Sequence, residues 1–150
     1  MYKIIKIVVG AAVLAASAVA IPASSAMASG ATTSHTIKVI SHNTANKQWP
    51  QEPSFAFTGV DRDAATGVKV GLDMLDCAAN LSTHKAYCDV TIALRGGLLR
   101  GNVSFFLNNP SNSDSGTITG GTRDFQHVTG GTITAVPAGH DELVTFTYHS

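Results

Sequence analysis

The feature that most constrains this chain is alternation. Short segments with every second residue apolar recur from Thr36 to His149, and each is closed off by turn residues. Thr36-Ile37-Lys38-Val39-Ile40 and Ser54-Phe55-Ala56-Phe57-Thr58 set the pattern. A period of two is the signature of a strand with one face buried and the other in water. Val68 to Cys77, Tyr87 to Arg95, Leu98 to Leu107, Gly116 to Thr122, Thr129 to Val136 and Glu142 to His149 continue it. Between them lie Ser41–Pro53, Asp61–Gly67, Ala78–Lys85, Gly96-Gly97, Asn108–Ser115 and Pro137–His140, rich in Gly, Pro, Asn, Asp and Ser. No segment carries the 3.6-residue period of a long amphipathic helix. About eight short strands at close spacing predict an all-β domain, a sandwich or a barrel. Periodicity alone does not choose between these. A barrel has the advantage of leaving no exposed edges.

The first 28 residues stand apart. Lys3 and Lys6 precede the 15-residue uncharged run Ile7–Ile21, and Ala26-Met27-Ala28 supplies small residues for cleavage. This is the layout of a secretory signal peptide, and the run is shorter than a membrane span requires. The expected organisation is therefore a signal peptide over 1–28, a flexible N-terminal segment over 29–35 and a β domain over 36–150. The expected location is outside the cell. Removing the leader takes away two lysines and no acids, leaving eight basic and ten acidic residues and a net charge of −2. Such a balance offers no electrostatic footprint for nucleic acid or an anionic membrane. An oxidising destination makes a disulfide the default for the two cysteines, Cys77 and Cys88. Their spacing fits no standard zinc pattern. A hairpin with a bridge across it joins them most simply. If they lie directly opposite each other, Asp76 and Asp89 become neighbours too.

The second half of the chain resembles the allene oxide cyclase and dirigent proteins, above all their secreted bacterial relatives. The resemblance rests on Gly67-Val68-Lys69-Val70-Gly71 ahead of Cys77, and on Cys88 opening a strand that ends Leu94-Arg95-Gly96-Gly97. It continues through Gly116-Thr117-Ile118-Thr119-Gly120-Gly121-Thr122-Arg123-Asp124-Phe125, Gly130-Gly131 and Leu143-Val144-Thr145-Phe146. Arg123 stands where the family pattern has glycine, and Phe125 where it has tyrosine. The resemblance implies an eight-stranded antiparallel barrel around an apolar cavity. It also implies cofactor-free steering of the cyclisation or coupling of a small hydrophobic molecule, in a protein that is often oligomeric. It transfers no catalytic residues.

The residues themselves add little chemistry. Gly120-Gly121-Thr122 lacks the Lys and the following helix of a phosphate loop. No Gly-x-Ser-x-Gly elbow occurs, so a serine hydrolase has no support. The six histidines show no metal-binding spacing. Trp49, Phe55, Phe57, Met74, Phe105, Phe125 and Tyr148 are the candidate lumen residues. They serve equally as plain core, because an eight-stranded barrel either fills with side chains or holds one small ligand. Two functions follow: a secreted barrel that binds a small hydrophobic molecule and fixes its conformation, or a non-catalytic exported scaffold. A lumen with a polar group aimed into an apolar space favours the first, and a solidly packed lumen the second.

Overall fold

A computed structural model describes residues 32–49, 51–109 and 113–150. The leader expected over Met1–Ala28 lies outside the described residues. Eight strands form a closed barrel in chain order, each antiparallel to the next. They are β1 (Ser34–Trp49), β2 (Ser54–Asp63), β3 (Lys69–Asn80), β4 (Lys85–Leu94), β5 (Gly97–Phe106), β6 (Asp114–Gly121), β7 (Gly130–Ala138) and β8 (Asp141–His149). β1 pairs with β2 on one side and β8 on the other, which closes the ring. The choice between sandwich and barrel that periodicity left open is thus made for the barrel.

Two boundaries differ from the sequence reading. Ser34 and His35 belong to β1, because Thr33 and Ser150 exchange backbone hydrogen bonds and hold the start of the chain to its end. The polar stretch after Ile40 also continues β1 as far as Trp49 instead of looping. Its backbone finds partners along β2, with a register shift between Asn43 and Ala45, where the Thr44 hydroxyl donates to the Thr58 carbonyl. Ladder hydrogen bonds outweigh the weak strand preference of these polar residues.

Inside, the barrel is divided lengthwise. One end is filled. A short 3-10 turn, Arg123–Phe125, folds across it between β6 and β7 and brings down Phe125, with Val128 just behind. Phe125 meets Tyr148 edge to face at 5.9 Å. Gly121 lets this turn approach, since a methyl group there would collide with Phe125 Cβ. Below the plug, Val39, Ile92, Leu99 and Ile118 are almost fully buried. Arg123 has a φ of +57°, in the left-handed region that favours glycine.

Cys77 and Cys88 lie directly opposite each other on β3 and β4 and are bonded. Both are buried and point inward. Asp76 and Asp89 are paired across the same strands but stand outside the barrel, exposed to water. Water on the outer face screens their charges.

Replacing both cysteines with serine is expected to cost about 3 kcal/mol on the loop-entropy model, lowering the melting temperature by on the order of 10 °C in a thermal melt. Arg123→Gly is expected to be neutral or to stabilise by up to about 1 kcal/mol, since it relieves the left-handed residue. Denaturant titration reads this, and a marked loss of stability would show that the arginine side chain matters more than its backbone.

Candidate functional site

The other end of the barrel is open. The lumen there holds a cavity of about 290 Å³, at the low end of the range for small-molecule sites. Its walls are the inward residues of alternate positions. Phe57 on β2, Leu75 on β3, Val90 on β4, Val103 and Phe105 on β5, Ile133 on β7, and Val144 and Phe146 on β8 make it largely apolar. The space expected to be either filled or open is both: packed at the plugged end and empty at the mouth.

Carboxylates interrupt the apolar wall. Asp73 reaches in from β3, Asp114 from the start of β6, and Asp141 and Glu142 from the start of β8. Ser41 Oγ donates to Asp73 Oδ2 at 2.5 Å, from β1 across the narrow width of β2. That reach is possible because Gly59 lies between them. A methyl group at Gly59 would collide with Asp73 Oδ1 and crowd the serine hydroxyl. At the mouth His42 Nδ1 meets Asp141 Oδ1 at 2.6 Å, an ion pair when the imidazole is protonated.

Asp61 lies one step deeper. It projects inward from β2, directly opposite Gly71, and is completely buried. Neither of its oxygens has a hydrogen-bond donor among the described residues. Its neighbour is the Asp73 carboxylate, and two carboxylates satisfy each other only when a proton sits between them. Burial, then the charge of Asp73, then this shared hydrogen bond push Asp61 up to about 7. Loss of water pushes Glu142 upward as well, helped by the charges of Asp114 and Asp73. Asp114 is raised by burial alone. The mouth and middle of the lumen therefore collect negative charge that the walls do little to stabilise.

The sequence-named residues scatter over this frame. Phe57 and Phe105 line the cavity, and Phe55 backs them, its ring 5.2 Å from Phe57 and 6.2 Å from Phe105. Phe125 and Tyr148 form the plug instead of the cavity wall. Tyr148 also stacks on His35 at 5.1 Å. Trp49 sits near the tip of the β1–β2 hairpin under the Lys47 ammonium, clear of the lumen. Met74 is half-exposed on the outer face. The register decides this: Cys77, Leu75 and Asp73 point in, so Met74 and Leu72 point out.

The acidic residues were the ones sequence reasoning missed. In the sequence Asp61 reads as a turn residue, whereas it belongs to β2. The turn is made by Asp63, whose carboxylate accepts from the Thr66 hydroxyl and from the Ala65 and Thr66 amides. Those bonds, the Thr66 hydroxyl first, hold Asp63 below its usual range. A signal for Asp73 did exist. Counting back from an inward Cys77 in steps of two arrives at Leu75 and then Asp73.

No family model and no curated protein matches the chain. Several solved structures share its fold. A pyocyanin demethylase is 20% identical with a TM-score of 0.56, over 75% of this chain and 98% of that one. AbnU, an exo-specific intermolecular Diels-Alderase, is 12% identical with a TM-score of 0.64, over 81% of this chain and 100% of that one. The Diels-Alderase AbmU from Streptomyces koyangensis is 13% identical with a TM-score of 0.60, over 82% of this chain and 71% of that one. The likeness is one of fold. It places this barrel among small barrels, some of which act on organic molecules.

The Asp61 proton carries a pH signature. An unfolded chain keeps it only up to about pH 4, and the folded chain up to about 7. Between those values the folded state binds the extra proton, so this contribution to stability is full below pH 4, falls as pH rises and is gone above about 7. Asp61→Asn removes the titration while leaving an amide to donate to Asp73. Denaturant melts are expected to show the variant gaining on the natural protein from pH 4 to pH 8, by on the order of 4 kcal/mol in total. Parallel pH profiles for the two proteins would rule this out.

Proposed function

We propose that this protein takes a small, mainly apolar molecule into the open half of the barrel and holds it in one conformation against the acidic groups there. The observation that carries this reading is the cavity itself, about 290 Å³ of space inside a barrel whose other half is packed. A chain selected only as a scaffold would gain stability by filling that space. A polar group aimed into an apolar space fixes orientation, and Asp73, Asp114 and Glu142 meet that description.

The chemistry that suits such a site is conformational. Ser41 and Asp73 form a hydroxyl–carboxylate pair at the cavity, and no described hydrogen bond joins a histidine to it. Rate enhancement would come from folding a flexible substrate towards a reactive shape and keeping water away from it. That matches what the resemblance to allene oxide cyclase and dirigent proteins implies. The Diels-Alderase activity for which AbnU and AbmU are named belongs to the same broad class of reaction. With the leader pattern over Met1–Ala28, we place the protein as a secreted bacterial-type member of that group, acting after export without an organic cofactor.

A second reading rests on the outside of the barrel. Leu72, Met74 and Tyr87 are about half exposed on the neighbouring strands β3 and β4. An exported scaffold that meets a partner, or a second copy of itself, would use such a face.

The lumen reading is tested by filling the lumen. Ala135 lines the cavity from β7, and Ala135→Phe places a ring in the empty space. Bicyclic aromatic probes such as 1-methylnaphthalene are expected to shift the amide spectrum of the natural protein at lumen positions and to raise its melting temperature. The variant should fold with unchanged or higher stability and bind at least about tenfold more weakly. Equal binding by both proteins would place the ligand elsewhere.

A further inference from the structure

The lumen is unbalanced in charge. Four carboxylates line the cavity, Asp73, Asp114, Asp141 and Glu142, together with His140, and among the described residues no lysine or arginine does. Of the two histidines near the mouth, His42 is engaged with Asp141 and His140 is exposed at the turn. Asp114 and Asp73 both act on Glu142, so these charges share one space. Behind them lies Asp61, fully buried against Asp73 with both oxygens lacking a donor. Buried polar groups normally have partners, and a missing partner calls for an explanation. An apolar wall next to uncompensated carboxylates is complementary to one kind of guest, a molecule that is both greasy and positive.

Deepening the lumen-binding reading, on which it rests, we infer that the occupant is an apolar organic cation, an aromatic amine or quaternary nitrogen compound, whose positive centre sits against Asp73 and Glu142 with its rings between Phe57, Phe105 and Phe146. A bound metal ion is a poorer fit, because among the described residues no three His, Cys, Asp or Glu side chains gather in a metal-binding group. An anionic guest would meet the repulsion that already exists among the carboxylates. A neutral hydrocarbon would fill the walls but leave the acidic groups unpaired.

Three bicyclic probes of nearly equal shape test this: 1-methylquinolinium, a permanent cation; 1-methylnaphthalene, its neutral counterpart; and 1-naphthoate, an anion. Each is titrated into the full exported domain and followed by fluorescence and amide chemical shifts. The cation is expected to bind at least about tenfold more tightly than the neutral probe, and the anion not at all. Glu142→Gln and Asp73→Asn should each erase most of the cation's advantage over the neutral probe. Asp73→Asn keeps an oxygen for the Ser41 hydroxyl, and a thermal melt confirms that each variant is folded. Asp76→Asn changes the net charge by the same amount on the outer face and should have no effect. Equal binding of cation and neutral probe at lumen positions would overturn the charge inference and leave lumen binding standing. Failure of all three to bind would remove both.

Discussion

Pairing between β1 and β8 is the interaction on which the rest of the structure depends. The eight residues that each strand gives to this ladder would otherwise present unpaired edges. Once they meet, the sheet has an inside, and every second residue is committed to it. The hydrogen bonds between Thr33 and Ser150 extend that seam to its limit. The plug depends on the seam as well, because Tyr148 on β8 is one of the surfaces that Phe125 packs against. Opening this one junction would dissolve the lumen, the plug and the acidic cluster together.

Within the closed barrel, two demands compete. Stability asks for a lumen filled with aliphatic and aromatic side chains, and the half beneath the 3-10 turn meets it. The open half departs from it twice, by leaving space and by placing carboxylates where water is scarce. Asp61 shows how far this goes, since its acid group is held neutral up to about pH 7 by burial and by Asp73. Such an arrangement opposes folding near neutral pH and is the kind of local cost that proteins carry at working sites. Gly59 belongs to the same arrangement, because its missing side chain is the room in which Ser41 and Asp73 meet.

Much of the architecture could be read from alternation alone. The number of strands, their antiparallel order and the cysteine bridge follow from period-two segments, turn residues and the position of one cysteine in each of two neighbouring strands. What resisted was direction, meaning which of two faces points inward. Val70, Leu72 and Met74 form the more apolar face of β3, yet they lie outside or at the margin, because the inward register is fixed by Cys77, Leu75 and Gly71. Hydrophobicity misleads where carboxylates line part of the inside. The strand ends were equally obscure. Residues 41–49 look like a loop, and only the partner strand makes them β. Glu142 and Asp114 are natural extensions of the inward series Phe146, Val144 and Ile118, Gly116, and the same parity would have found them.

The stopper formed by Phe125 and Val128 fills one end of the cylinder, and among the described residues the cavity opens at the other. A guest of the kind proposed would leave along the route by which it entered, past Asp141 and His42. Selection of a guest by its charge would likewise be exercised on the way out, so that a molecule which lost its positive centre while inside would be released more readily than the one that arrived.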